Sequence, residues 1–158
     1  MLAWMRTPEV GEAIGLSQPP TMERTLAWIE SAQKNADISA WGIFFDGQHV
    51  GNVVFDQLDK KAATARLSVY IGKPAARSKG VGTTAIHRAL EQAFCEEGLY
   101  KVWLTVHAEN AAAIRVYTKL GFQVEGTLRG AFVLNGRRLD ALYMGLLATE
   151  FSIVLREG

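Results

Sequence analysis

The chain has 158 residues, room for one domain with a substantial core, and its 49% hydrophobic and 21% charged content is that of an ordinary globular protein. Lys and Arg number 17 against 16 Asp and Glu, so overall charge supplies no attraction for nucleic acid or an anionic membrane surface. No apolar run approaches the roughly 20 residues that span a bilayer, and residues 1–8 lack the basic-then-apolar order of a secretory leader.

Thr7 and Pro8 suit the start of a short helix ending near Gly15. Pro19-Pro20-Thr21 opens a longer one, with Met22, Leu26, Ile29 and Ala32 at helical spacing. Residues 40–45 and 49–55 read as strands joined by Asp46-Gly47, a two-residue hairpin turn. Residues 64–72 form a third strand after the Asp59-Lys60-Lys61 turn. A helix over 83–97 carries Ile86, Ala89, Leu90, Ala93 and Phe94 on one apolar face and stops at Gly98. Residues 101–106 make a strand, and residues 111–120 a helix capped by Asn110 and ended by Gly121. Residues 122–126 and 131–134 have strand character, and Asn135-Gly136 turns the chain into a last strand over 138–147. Antiparallel hairpins enclosing one strand–helix–strand unit imply an α+β fold, a mostly antiparallel sheet with helices on both faces. No repeat or linker-like tract divides residues 1–158, so a single domain is expected.

Chemistry concentrates in two segments. Arg77-Ser78-Lys79-Gly80-Val81-Gly82 lies between a strand and a helix. Glycines there admit backbone angles and close approaches closed to other residues. The first helical N–H groups have no intrahelical partner and sit at the positive end of the helix dipole, an anion site suited to a diphosphate. Arg77 and Lys79 add charge, and the Thr83 and Thr84 hydroxyls either add bonds or are ordinary first-turn residues. No Gly-Lys-Ser/Thr closes the segment, so it is not a Walker loop, and it lacks the full dinucleotide fingerprint. The second segment is the Asn110 helix, where Asn110 and Tyr117, seven residues apart, lie on nearly the same side.

Arg77-x-x-Gly80-x-Gly82 before a helix, then a strand, then Asn-x-Ala-Ala-Ile-Arg-Val-Tyr-x-Lys-Leu-Gly-Phe (110–122), resembles the GNAT N-acetyltransferase superfamily. Glu125-Gly126-Thr127-Leu128-Arg129 and Asn135-Gly136-Arg137-Arg138-Leu139-Asp140 are similar to its branch of ribosomal-protein alanine acetyltransferases. The resemblance covers about residues 41–151. It implies a GNAT-like mixed, twisted sheet with a splayed pair of parallel strands, and direct transfer of an acetyl group from acetyl-CoA to a primary amine. It places the coenzyme diphosphate on Arg77, Ser78, Lys79, Gly80, Val81, Gly82, Thr83 and Thr84. The pantetheine arm falls along the backbone of Val69, Tyr70 and Ile71, where an N–H near Val69 or Tyr70 polarises the thioester carbonyl. Asn110 contacts the arm as well as capping its helix, and Tyr117 protonates the leaving thiolate.

The base is less defined. Relatives carry a glutamate on the first splayed strand, where this chain has Arg66, and an arginine cannot serve as a base. His107 is either a base or a loop histidine in solvent. Asp140 either faces the acceptor or pairs with Arg137 or Arg138, Asp56 is a weaker candidate, and a relaying water competes with all of them. Trp28, Trp41, Tyr70 and the hairpin around Arg137 either shape the acceptor site or belong to the core. The acceptor is a protein N-terminus or a small molecule (amino sugar, polyamine or aminoglycoside). A non-catalytic acyl-CoA-binding domain is the competing reading. No metal is expected. Cys95, the sole cysteine, reads as a buried inert thiol, which precludes an intrachain disulfide and makes cytoplasmic the default location. A monomer or homodimer is expected.

Overall fold

The computed structural model describes residues 21–151. The expected Thr7-capped helix lies outside the described residues. Within them run helix α1 (Met22–Lys34), strands β1 (Ser39–Phe45), β2 (Gln48–Asp59) and β3 (Thr64–Ile71), and a 3-10 turn (Pro74–Ala76). Helix α2 (Val81–Glu91), β4 (Lys101–His107), α3 (Ala111–Lys119), β5 (Gln123–Leu134) and β6 (Arg137–Leu147) follow. The strands hydrogen-bond in the order β1-β2-β3-β4-β6-β5, antiparallel except for β3 and β4. The expected α+β class and its one parallel pair are therefore present.

The chain divides into two compact units, one with the described residues up to Leu58 together with Leu67–Ile86, the other with Asp59–Arg66 and the residues from His87 on. In the first, Thr21 caps α1 by accepting from the Arg24 N–H at 3.2 Å. Asp46 and Gly47 both have positive φ, 49° and 71°, the mirror-image turn whose twist matches the two strands it joins. β2 runs longer than expected, and its continuous buried stretch includes Val50, Val53, Val54 and Phe55. Gly51 is required here, because a Cβ would overlap the Tyr70 carbonyl oxygen of β3.

In the second unit the parallel ladder comprises Thr64–Lys101, Ala65–Val102 and Arg66–Trp103. β4 alternates strictly: Val102, Leu104 and Val106 are buried, while Lys101, Trp103, Thr105 and His107 are half-buried. Leu90, Met144, Leu146 and Phe151 belong to the same core.

Three expectations are corrected. The 83–97 helix begins two residues earlier, at Val81, and its last turn is a π-helix (Gln92–Glu96) in which the Glu97 N–H reaches the Gln92 carbonyl at 3.0 Å. Gly98, at φ 69°, then lets the Leu99 N–H return to the Ala93 carbonyl at 2.9 Å. Ala93 faces the core and Phe94 meets Phe151, while Cys95, which falls opposite Ile86 on the helix, is exposed rather than buried. Finally, the two strand segments after Gly121 are one strand, β5, interrupted by register shifts between Val124 and Gly126 and between Leu128 and Phe132. Gly130 sits in the second irregularity at φ 61°. Its N–H donates to Asp140 Oδ1 at 2.8 Å and its carbonyl accepts from Arg138 at 2.9 Å, so side chains satisfy what the ladder does not.

Candidate functional site

The first unit holds the loop. Residues 77–80 form a turn in which Ser78 and Gly80 have left-handed backbones, φ 60° and 76°. Helix α2 then starts directly, its first intrahelical acceptor being the Gly80 carbonyl, bonded by the Thr84 N–H at 3.0 Å. Gly80 has no side chain to cap the helix, so the N–H groups of Val81, Gly82 and Thr83 are left for an external acceptor. The two glycines divide the two expected uses, special backbone angle and close approach, between them. Only Gly80 uses a positive φ. Gly82 is helical, and a Cβ there would meet nothing closer than Ile71 Cγ1 at 3.7 Å, so it serves by leaving open space at the helix end.

The cations of the loop are oriented by the chain. Arg77 Nε donates to the Ile71 carbonyl at 3.1 Å, tying the loop to the end of β3. Lys79 Nζ lies 5.4 Å from the Phe45 ring centroid, a cation–π contact that keeps it beside the loop. Val69, Tyr70 and Ile71 are half-buried at the end of β3, beyond the last rung of the parallel ladder. Tyr70 is also part of a network that sequence reasoning missed. Asn52 Nδ2 donates to the Tyr70 hydroxyl at 2.6 Å, and Asn52 Oδ1 lies 2.8 Å from His49 Nε2. The readable signal was an amide inside the apolar run 50–55, where only a hydrogen-bonded role makes burial tolerable.

The second unit holds the other candidates. Asn110 Oδ1 accepts from the Ala113 N–H at 3.1 Å, the expected cap, which leaves its Nδ2 for another partner. Tyr117 packs edge-on against Phe122, centroids 5.7 Å apart, and its hydroxyl makes no hydrogen bond among the described residues. Burial pushes that hydroxyl up to about 12, so it is fully protonated at neutral pH. The helix ends as expected, with Gly121 at φ 98° and the Phe122 N–H returning to the Tyr117 carbonyl at 3.0 Å.

His107 ends β4 with its ring edge-on to Phe132 at 6.0 Å, and its Nδ1 is buried without a hydrogen-bond partner among the described residues. Asp140 is exposed and accepts from the Gly130 N–H. The alternative ion pair with Arg137 or Arg138 does not form: Arg137 grips both Glu109 carboxylate oxygens at 2.8 Å, and Arg138 donates to Gly130. Asp56 and Arg66 each have partners of their own. Trp28 and Trp41 are exposed, Trp41 edge-on to Phe55 at 5.7 Å. Among the described residues no three His, Cys, Asp or Glu side chains gather to hold a metal ion, and no helix is long and apolar enough to cross a membrane.

Each unit thus assembles part of the predicted set: residues 69–71 with 77–84 in the first, and His107, Asn110, Tyr117 and Asp140 in the second. Comparison with known proteins supplies the family. Residues 1–123 match the model of the acetyltransferase (GNAT) domain. Spermidine N(1)-acetyltransferase of Escherichia coli (strain K12) is 34% identical over 106 residues, 67% of this chain. The chain spans only about half the length of that relative, 56%. In fold, spermidine N-acetyltransferase from Vibrio cholerae, solved in complex with CoA and spermine, superposes with a TM-score of 0.87 at 22% identity, over 96% of this chain and 89% of that one. Ribosomal-protein-alanine N-acetyltransferase from Brucella melitensis does so with a TM-score of 0.79 at 27% identity, over 92% of this chain and 91% of that one. The chain belongs to the GNAT acetyltransferase domain family.

Proposed function

We propose that residues 1–158 act as one acetyl-CoA-dependent N-acetyltransferase domain, transferring an acetyl group to a primary amine by direct attack within a ternary complex. The observation that carries this reading is the uncapped start of α2, where three unbonded N–H groups and two oriented cations follow the end of β3. The coenzyme diphosphate takes the N–H groups of Val81, Gly82 and Thr83, with Arg77, Ser78, Lys79 and the hydroxyls of Thr83 and Thr84 around it. Its pantetheine arm runs along residues 69–71, and an N–H at Val69 or Tyr70 polarises the thioester carbonyl. Asn110, whose Oδ1 caps α3, keeps its Nδ2 for a contact to the coenzyme arm.

The free amine then adds its lone pair to the carbonyl carbon, the carbon–sulfur bond breaks, and the Tyr117 hydroxyl donates to the departing sulfur. The proton of the attacking nitrogen leaves to water, with His107 and Asp140 as side-chain alternatives. Two acceptor classes have support. The 34% identical spermidine enzyme favours a polyamine. A protein N-terminus, the other class, carries a single amine and needs no cluster of carboxylates, and Glu109, Glu125 and Glu30 are each already paired with Arg137, Lys101 and Lys34.

Thiol release from acetyl-CoA, measured with spermidine, an alanine-initiated peptide and a free amino acid, decides between them. With Arg66 where a carboxylate base is expected, the acidic limb of kcat/KM should follow the acceptor's own ionisation. It should move down by about one pH unit for each unit by which the acceptor amine pKa is lowered. A limb that stays at one pH for every acceptor, and disappears in His107→Gln or Asp140→Asn, would instead identify a dedicated base.

A further inference from the structure

Tyr70 enters the proposed function only through its backbone, yet its side chain ends a buried polar network. Asn52 is 8% exposed in the middle of an apolar strand, a costly place for an amide unless both ends are bonded. Both are: Oδ1 by His49 Nε2 and Nδ2 by the Tyr70 hydroxyl. The sequence clears space for this arrangement on two strands. A Cβ at Gly42 would crowd the His49 ring at 3.3 Å and Phe44 at 3.1 Å, and one at Gly51 would overlap the Tyr70 carbonyl.

The network leaves the Tyr70 oxygen half used. Asn52 occupies one lone pair, and among the described residues neither the second lone pair nor the hydroxyl proton has a partner. Burial raises the Tyr70 pKa, with the Asn52 hydrogen bond pulling the other way, so the phenol is neutral at physiological pH.

Direction follows from the strand. Ile71 points to the face bearing the first turn of α2, where it lies 3.7 Å from the Cβ position of Gly82. Side chains alternate along a strand, so Tyr70 leaves β3 on the opposite face. A thioester carbonyl bonded to a strand N–H lies near the plane of the sheet, and a nucleophile reaches it from above or below that plane. The Tyr70 side chain thus leaves β3 on the face opposite the first turn of α2, where an incoming amine would not meet a coenzyme held by that turn.

We propose that Tyr70 binds the acceptor amine, its open lone pair accepting one N–H so that the nitrogen lone pair is aimed at the thioester, with Asn52 and His49 as positioning residues. This rests on the acetyltransferase reading given above. The substrate class it implies is a primary amine recognised by a neutral oxygen rather than by a carboxylate.

Steady-state kinetics of the full chain, with spermidine and an alanine-initiated peptide as acceptors, test it. Tyr70→Phe should raise the amine KM about fivefold, the scale of one hydrogen bond between neutral groups, and leave acetyl-CoA affinity unchanged. Asn52→Leu should have the same effect, and the double variant no more than either single one, because both break one unit. His49→Gln, which keeps an N–H for Asn52, should stay near the unsubstituted KM, whereas His49→Leu should not. An unchanged amine KM in folded Tyr70→Phe, or losses that multiply in the double variant, overturns the proposal while the enzyme remains active. Absence of turnover with every amine by the unsubstituted chain overturns the transferase reading, and this assignment with it.

Discussion

Tyr117→Phe is expected to lower kcat about 100-fold while coenzyme affinity changes little. The substitution removes one hydroxyl that has no hydrogen bond among the described residues and keeps the ring against Phe122. Its size follows from what the hydroxyl can do. With a pKa of about 12 it is a poor match for a thiol near about 8.5, so complete proton transfer to a free thiolate runs uphill by roughly 5 kcal/mol. A hydrogen bond to the charge developing on sulfur meets no such penalty. Bonds to charged groups contribute about 1.5–3 kcal/mol, or roughly 10- to 150-fold in rate. A hydroxyl that burial keeps protonated suits the proposed hydrogen bond to the leaving sulfur better than full proton transfer, with the proton delivered finally from solvent. The raised pKa also removes Tyr117 as the source of any alkaline limb near pH 10. Unchanged kcat in the folded variant would return Tyr117 to a packing role.

Gly82→Val is expected to abolish most coenzyme binding without unfolding the chain. Saturating coenzyme A at one hundred times its dissociation constant should stabilise the protein by about 2.7 kcal/mol, seen as a rise in Tm. The valine should remove nearly all of that rise. Gly82 has a helical backbone and its Cβ position has ordinary clearance from Ile71, so strain is small and the loss is steric, over the N–H groups of Val81, Gly82 and Thr83. The neighbouring glycine behaves differently: any side chain at Gly80 meets a φ of 76°, which costs stability whether or not ligand is bound. Comparing the two separates cofactor contact from loop conformation. A folded Gly82→Val protein with the full rise in Tm would move the coenzyme elsewhere.

Much of the fold was legible because its punctuation is chemical. Asp46-Gly47 and Asn135-Gly136 each need two positive φ values, and both turns occur where those residues stand. Thr21, Asn110 and Gly121 mark helix ends by hydrogen bonds that no other neighbouring residue supplies. Features that depend on partners distant in sequence were not legible. β5 continues through Gly130 because Asp140 and Arg138 complete its bonds from the facing strand, which the local pattern at 126–130 cannot announce. Cys95 was read as buried from its neighbour Phe94, yet on a 3.6-residue period it falls opposite Ile86, and it is exposed. In the site, the loop and the Asn110 helix could be read as motifs because their chemistry is local. The His49–Asn52–Tyr70 network could not, since it joins positions on two strands 18 residues apart. Likewise the Glu109–Arg137 pair, which draws Arg137 away from Asp140, spans 28 residues.

Acetyl-CoA labelled in the acetyl carbon separates a transferase from a domain that only binds the coenzyme. The full chain is incubated with it, with and without an amine acceptor, and the label in the amine is counted against free coenzyme A thiol. Label is expected in the amine one-for-one with thiol, dependent on the acceptor and reduced about 100-fold by Tyr117→Phe. Saturable coenzyme binding with no amine-dependent transfer of label to any acceptor of the panel would contradict it and make the chain an acyl-CoA-binding domain.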